Sequence, residues 1–420
     1  MKLKLLNLLQ KEMVLALGCT EPMALAYAGS VITKYLNAPP ERMVVRCSPN
    51  VIKNVKSVTI PNTNGMKGIN IACVIGAFFG NPEKGLEVLT DMDDEKIALC
   101  NSIVNKIPCT IEMLESSSTL HFILEGYQEN NVVSVEVKDE HTNIVQITKN
   151  GNIITEAYKG KEEKNSAGII NGYTIKDIIE FSRTLDYTPL VTLLEQSIQF
   201  NLAIANEGLQ NNYGINVGKI LLQTDNDHVR TQAKGYAAAA SDARMSGCSL
   251  PVMINSGSGN QGITVSVPVI IYARHINATR DSLFRALILS NLIAIYEKSF
   301  IGKLSAFCGV VCASSGAAGG ITFLRKGNDE QIESSVINTI GTLSGMVCDG
   351  AKASCASKIA TCVDTAFTCV DMALLNQRMS PGDGIVKNGL DSTVISVGRL
   401  ACNGMHITDQ VILKIMLEGE

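Results

Sequence analysis

The sequence predicts an α+β fold that is mostly helical, with an all-α domain and a smaller α/β lobe containing an antiparallel sheet. From Thr174 onward the pattern is helical almost throughout. Residues 120–154 instead alternate apolar and polar side chains, with turn signals at QENN, DEH and KNGN, which is typical of an antiparallel meander. The chain has 420 residues, 46% of them hydrophobic and 18% charged, which is enough for two or three lobes with sizeable cores.

The N-terminal part of the chain predicts short helices and strands. The first 17 residues imitate a signal peptide, but Lys11 and Glu12 interrupt the apolar run, so we predict an amphipathic helix. A second helix begins after the turn GCTEP, where Thr20 is a candidate N-cap. The predicted helices are 1–17, 23–35, 69–79 and 82–89, and the predicted strands are 43–47 and 55–60.

Changes of composition divide the chain into three predicted parts. Residues 1–40 form N-terminal helices that pack on the large helical domain, residues 41–172 form the small α/β lobe, and residues 173–420 form the helical domain. The helices predicted first in that domain are 177–185, 189–207, 216–222, 228–243 and 282–296.

The composition also excludes several classes of protein. The net charge of −4, without a basic stripe, makes nucleic acid a poor partner. An odd count of 13 cysteines, without a secretory signal, predicts free thiols in a reducing compartment and a cytoplasmic location. Two uncharged stretches, 245–273 and 304–324, are long enough to span a bilayer, but their Gly, Ser and Pro content predicts tightly packed buried segments. The large apolar helices favour a homodimer.

Six of the cysteines fall within residues 301–369. Four of them recur every seven residues, and on one continuous helix they would form a stripe roughly 30 Å long at ~1.5 Å per residue. One metal cluster cannot contact all four, so Cys362 and Cys369 are predicted to be core residues. Between Cys348 and Cys355 the segment CDGAKASC favours a helix break that would bring the two thiols together. Metal binding and core packing both remain open for this pair, and either Cys308 or Cys312 would be the third ligand.

The motif GCTEP places Cys19 just before a predicted helix start, where the helix dipole favours a thiolate. This thiol would serve as an acid or base, a metal ligand or a nucleophile. The alternative is an ordinary thiol in a capped turn.

The segment NSGSGNQG matches the G-x-G-x-x-G pattern, but the context is wrong for a dinucleotide site. The following ITVSVPV is β-branched and contains Pro268, which makes it a poor helix. We therefore predict a loop whose N–H groups hold a carboxylate, and the alternative is a plain glycine turn. The polar side chains of this loop are Ser256, Ser258, Asn260 and Gln261. The five histidines are scattered, which disfavours a zinc hydrolase, and there is no serine nucleophile elbow.

Six motifs together resemble the L-cysteine desulfidase family, relatives of the iron–sulfur L-serine dehydratases. They are GCTEPMALAYA, SPNVIKN with VTIPNT, SGSGNQG, KSFIGKLSAFCG and SGMVCDGAKASCASKIA. The resemblance implies that Cys308, Cys348 and Cys355 hold a [4Fe–4S] cluster in the helical domain, which would be the catalytic domain, with a cleft beside the smaller lobe. It also implies that Cys19 is an active-site thiol, as base or as fourth cluster ligand. Serine dehydratases have His-Thr where this chain has Cys19-Thr20.

The implied reaction is β-elimination of L-cysteine to pyruvate, ammonia and hydrogen sulfide, with one open iron as Lewis acid. The predicted substrate-binding residues are Thr20, Glu21, Asn54, Ser256, Gly257, Ser258, Asn260 and Gln261. An L-serine dehydratase on the same cluster is one alternative. A pyridoxal-phosphate lyase using Lys298, Lys303 or Lys352 is another, and a non-catalytic iron–sulfur sensor is a third.

Overall fold

The structure, a computed structural model, describes residues 2–156, 170, 172–302 and 304–418. It confirms the mostly helical α+β fold with a small sheet lobe. In the N-terminal part the elements are α1 (Lys2–Glu12), β1 (Leu15–Leu17), α2 (Thr20–Leu36), β2 (Arg42–Cys47), α3 (Pro49–Val55), α4 (Ile69–Phe79), a 3₁₀ helix (Pro82–Glu87) and α5 (Asp94–Lys106).

The small lobe is built on a six-stranded sheet in the order β3-β2-β4-β5-β6-β7. Its further strands are β3 (Cys109–Met113), β4 (His121–Gln128), β5 (Asn131–Lys138), β6 (Ile144–Lys149) and β7 (Asn152–Glu156). Strands β4 to β7 form the predicted antiparallel meander. The sheet is mixed rather than wholly antiparallel, because β3 follows the crossover helices and pairs parallel to β2.

The helical part contains α6 (Ile175–Thr184), a 3₁₀ turn (Thr188–Leu190), α7 (Val191–Gln210), α8 (Val217–Thr224), α9 (Val229–Met245), β8 (Pro251–Met253), α10 (Gly259–His275), α11 (Arg280–Ile301), α12 (Gly309–Leu324), α13 (Asp329–Leu343), α14 (Cys355–Leu374), α15 (Leu390–Arg399), a π-helical turn (Leu400–Gly404) and α16 (Met405–Leu417). Helices α10 and α12 are buried along nearly their whole length. Their apolar composition is therefore that of central core helices. None of the helices in the part of the chain described here is long and apolar enough to cross a membrane.

Helix α2 packs mainly on the small lobe, against α4 and the sheet. A Cβ on Gly76 would lie 2.2 Å from the carbonyl oxygen of Ala26, so the two helix backbones touch there. Small residues on both helices let α2 and α4 approach closely, whereas β1 pairs with β8 of the helical part. The boundaries at residues 40 and 172 remain predictions.

Three local predictions were wrong. Helix α1 ends at Glu12, and residues 15–17 form a strand because they pair antiparallel with β8. Residues 55–60 are not a strand, since the preceding Ser48-Pro49 starts helix α3 and Thr59 makes only an isolated bridge with Lys67. The segment after the glycine loop is helical despite Pro268, because burial of α10 outweighs the weak helix propensity of its β-branched residues.

Candidate functional site

A buried cavity of about 100 Å³ lies where four helices begin. The first turns of α2, α10, α12 and α14 all contribute to its wall, together with the segments that lead into them. Helix N-termini carry partial positive charge and free N–H groups, so their convergence favours anionic ligands. The residues around the cavity are Cys19, Thr20, Glu21, Asn54, Arg244, Gly257, Ser258, Asn260, Gln261, Lys298, Leu304, Ser305, Phe307, Cys308, Gly309, Val310, Cys348, Gly350, Ala351, Cys355 and Lys358.

Two of the predicted ligand thiols are brought together by backbone pairing. An antiparallel bridge joins Phe307 to Val347. The N–H of Cys308 donates to the carbonyl oxygen of Met346 at 3.1 Å, and the N–H of Cys348 donates to that of Ala306 at 2.6 Å. Cys308 and Cys348 each follow the bridged pair, so they are diagonal neighbours on one face.

The third predicted ligand thiol, Cys355, is the first residue of α14. The chain reaches it through Gly350, whose φ of +90° makes the predicted break after Cys348. Cys355 Sγ lies 3.8 Å from the carbonyl oxygen of Gly350. Burial raises the pKa of the Cys308 thiol, and the neighbouring thiols, including Cys348 and Cys355, raise it further. All three thiols therefore belong to one wall of the cavity.

The donor set at the cavity consists of three thiols, which is the ligand type of iron–sulfur clusters. Across the described ranges, no three His, Cys, Asp or Glu side chains are close enough to hold one metal ion. Each iron of such a cluster takes its own thiolate, and the three thiols that line the cavity are donors of this kind. The cations Lys298 and Lys358 also line the cavity, where they would offset the negative charge of such a group.

The other cysteines of this region lie outside the cavity wall. Cys312 is fully buried beside Glu297, and burial raises the pKa of its thiol. Cys362 Sγ contacts the Met346 sulfur at 3.5 Å, and Cys369 is buried near Thr339. They behave as core residues, which leaves Cys308 as the member of the FCGVVC pair at the cavity.

Cys19 is the N-cap of α2, but its thiol is not disposed to ionise. It is 3% exposed, and Sγ donates a hydrogen bond to Glu21 Oε2 at 3.1 Å. Burial, followed by the charge of Glu21, raises the pKa of Cys19 well above its usual value. The expected thiolate is thus wrong for the resting state, because burial and a neighbouring carboxylate outweigh the helix dipole.

Glu21 is a buried carboxylate held by several neighbours. Burial acts against its ionisation, but contacts from His141, Cys19 and its own backbone outweigh that effect and lower its pKa to about 2. Asn54 Nδ2 donates to Oε1 at 3.0 Å, and Thr20 Oγ1 lies 3.0 Å from Oε2. His141 Nε2 lies 3.8 Å from Oε1, so this contact is electrostatic rather than a full hydrogen bond. No motif pointed to His141, which comes from the β5–β6 turn of the small lobe.

The glycine loop and the start of α10 also line the cavity. Thr20 Oγ1 donates to the carbonyl oxygen of Gly257 at 2.8 Å, which ties this loop to α2. Ser258 caps α10 by accepting from the N–H of Gln261. Of the predicted site residues only Ser256 is not in the wall, because its hydroxyl donates to Asn255 inside the protein. The side-chain oxygens of Asn54 and Gln261 are buried without partners, as expected of groups that await a ligand.

Three cations at the cavity were missing from the predicted set of binding residues. They are Arg244, Lys298 and Lys358. Lys298 and Lys358 belong to the motifs KSFIGKLSAFCG and SGMVCDGAKASCASKIA, which were read for their cysteines, whereas Arg244 lies in an ordinary helical pattern without a motif. Of the lysines considered for a Schiff base, Lys298 lines the cavity, whereas Lys352 donates to the carbonyl oxygens of Asp349 and Gly350. Lys303 lies outside the described residues.

Comparison with known proteins places this site in a family context. The model of the family described as serine dehydratase alpha chain matches residues 83–414. A UPF0597 protein of Treponema denticola is 41% identical over 423 residues, covering 99% of this chain and 98% of that protein. A UPF0597 protein of Lachnoclostridium phytofermentans is 44% identical over 414 residues, covering 99% of both chains. A UPF0597 protein of Finegoldia magna is 42% identical over 421 residues, covering 98% of this chain and 99% of the relative.

Proposed function

Because the chain belongs to the serine dehydratase alpha chain family, we propose that it is a lyase that eliminates the β-substituent of a small L-amino acid in the buried cavity. The observation that carries the proposal is the cavity itself. Three thiols and a buried thiol–carboxylate pair line it, and four helix N-termini converge on the same space. This combination suits an anionic amino acid and an anionic metal cluster together.

We propose a [4Fe–4S] cluster as the cofactor. Cys308, Cys348 and Cys355 would hold it, and the family association and the donor set both support this choice. When bound, a cluster with three protein ligands supplies an open iron that acts as a Lewis acid toward the departing β-substituent.

We propose L-cysteine as the substrate. The support is the pair Cys19-Thr20 at the cavity, in the place where the resemblance gives serine dehydratases His-Thr. The name of the matching family favours L-serine instead, which makes L-serine dehydration the second candidate. Both reactions end in pyruvate and ammonia, so the two candidates differ in the leaving group alone.

The protein's side chains have three tasks in this scheme. The N-terminus of α10, with Ser258 and Asn260, holds the amino acid at the carboxylate end. The apolar side chains Leu304 and Phe307 line the cavity and exclude water. Confinement of this kind fixes the orientation of the Cα–H bond relative to the base.

Cys19 Sγ is the proposed acceptor of the Cα proton. In the resting state Sγ carries its own proton and donates a hydrogen bond through it to Glu21 Oε2, so the active form is the fraction of the protein in which this proton has passed to solvent before the substrate binds. Because burial and Glu21 raise the pKa of this thiol, the thiolate is rare at neutral pH and strongly basic once formed. Glu21 stays ionised throughout, since its pKa is about 2.

The test is an activity assay on anaerobically reconstituted protein. With L-cysteine we expect sulfide and pyruvate in equal amounts, and with L-serine pyruvate at a lower kcat/KM. A higher kcat/KM for L-serine would replace the proposed substrate with the second candidate. If neither amino acid yields pyruvate while iron and absorbance show a full cluster, the lyase proposal fails and a non-catalytic sensor becomes the better interpretation.

A further inference from the structure

Arg244 is a buried cation at the cavity for which the scheme above has no task. It lies in the last turn of α9, is 2% exposed and lines the cavity. Nη1 donates to Asn260 Oδ1 at 3.1 Å, whereas Nε is buried without a partner. Among the residues that the structure describes, no carboxylate pairs with it. A buried guanidinium with one neutral partner is expensive to maintain unless an anion completes it.

The start of α10 is shaped around this guanidinium. A Cβ on Gly259 would lie 2.2 Å from Arg244 Nε and 2.6 Å from Cζ, so any other residue there would displace the arginine. Glycine at the first position of α10 thus lets the charge lie directly against the helix N-terminus. Two positive features are brought together in a buried space, which favours an anion between them.

We infer that Arg244 receives the α-carboxylate of the substrate and thereby restricts the site to amino acids with a free carboxylate. The inference rests on the proposed function and deepens it, because it names the substrate class. A planar guanidinium matches a carboxylate with two parallel hydrogen bonds, which a lysine ammonium cannot reproduce. Lys358 already has partners of its own, because its Nζ pairs with the Asp349 carboxylate and donates to the carbonyl oxygen of Val347 at 2.8 Å, so it is less free than Arg244 to receive a carboxylate.

This arrangement explains why the SGSGNQG motif has a glycine at position 259. The pattern resembles a phosphate-binding loop, yet Gly259 makes room for a side chain of the protein itself. Asn260, next in the chain, then orients the guanidinium through its side-chain oxygen. Gly259, Asn260 and Arg244 together form one receptor for a carboxylate.

The experiment measures binding of L-alanine and L-alaninamide to the holoenzyme by calorimetry. L-Alanine has the carboxylate but no leaving group, so it binds without reacting, and L-alaninamide lacks the negative charge. We expect wild-type protein to bind L-alanine on the order of 100-fold more tightly than L-alaninamide. In Arg244→Met this preference should vanish, and Arg244→Lys should recover only part of it.

Arg274→Met is the matched control, because Arg274 is exposed at the far end of α10. Arg274→Met should keep the wild-type preference for L-alanine over L-alaninamide. Equal binding of the two probes by wild-type protein, or a full preference in a folded Arg244→Met, would overturn the inference. If Arg244→Met does not fold, the comparison of L-alanine with L-alaninamide binding to wild-type protein still tests the inference. Absence of sulfide or pyruvate formation alongside an intact preference would refute the lyase proposal and leave the carboxylate receptor standing.

Discussion

The ion pair between Lys53 and Asp409 connects the C-terminal helix α16 to the cysteine wall of the cavity. Lys53 is 2% exposed and its Nζ donates to the Asp409 carboxylate, which is 14% exposed. The same Nζ lies 3.3 Å from the carbonyl oxygen of Cys348 and 3.5 Å from that of Ser305. Replacing Asp409 with Asn would therefore leave a buried ammonium with two long contacts to carbonyl oxygens.

The size of the effect follows from burial. Removing one partner of a buried ion pair lowers the free energy of unfolding by about 3–5 kcal/mol. Here the two remaining carbonyl contacts of Lys53 and the partial exposure of Asp409 favour the lower end of that range, about 3 kcal/mol. For 420 residues, an unfolding entropy of ~2.1 cal/mol/K per residue gives roughly 0.9 kcal/mol per kelvin. Asp409→Asn should thus lower the melting temperature by about 3 °C.

The assay is thermal and urea unfolding of a double-mutant cycle. The variant Lys53→Met/Asp409→Asn should be more stable than Asp409→Asn alone, because the buried charge is gone. Asp371→Asn is the control, since Asp371 pairs with Arg325 at the surface and its loss should cost at most ~0.5 kcal/mol. The reasoning is refuted if Asp409→Asn is as mild as the control, or if the double variant is less stable than both single ones. Iron content should also fall in Asp409→Asn, because the peptide of Cys348 loses its fixed support.

Three further predictions concern the site. Cys308→Ser should abolish the visible absorbance and the iron content of reconstituted protein. Cys312 is a buried thiol four residues further along, and Cys312→Ser should retain both. Equal loss in the two variants would contradict the assignment of Cys308 as a ligand. Cys19→Ser should keep the absorbance and lower kcat by about 10²–10⁴-fold, and full activity would eliminate Cys19 as the base. The pKa of Cys19 is raised and the active form is the thiolate, so log kcat/KM should rise by about one per pH unit from roughly pH 6.5 to 8.5. Glu21→Gln removes the adjacent negative charge and should move this rise to lower pH. A pH profile that is unchanged in Glu21→Gln would show that a group other than Cys19 is titrated.

Local patterns in the sequence predicted the features that depend on neighbours in the chain. The helix start after Cys19 and the break at Gly350 were both predicted from residue types within a few positions. The meander of the small lobe followed from strict alternation and turn residues. These features are decided within a turn of helix or a hairpin, so the sequence contains their physical cause.

The features that the sequence did not predict depend on tertiary surroundings. The helix through Pro268 forms because its neighbours bury it on all sides, which a propensity argument cannot include. The protonation of Cys19 depends on Glu21 two residues away and on burial supplied by distant segments. Arg244 and His141 reach the site from α9 and from a hairpin of the small lobe, and neither carries a motif.

The bridge between residues 307 and 347 sets the spacing of two thiols through the main chain. Cys308 and Cys348 stand 40 positions apart, and main-chain hydrogen bonds hold their segments side by side. The entropy of closing that loop is therefore offset in part by backbone pairing, and not by ligand bonds alone. In this respect the pair differs from the ligands of small zinc-dependent modules, which assemble only with their ion. Because main-chain geometry places both cysteines, substitutions of the side chains around them should change the relative position of the two thiols little.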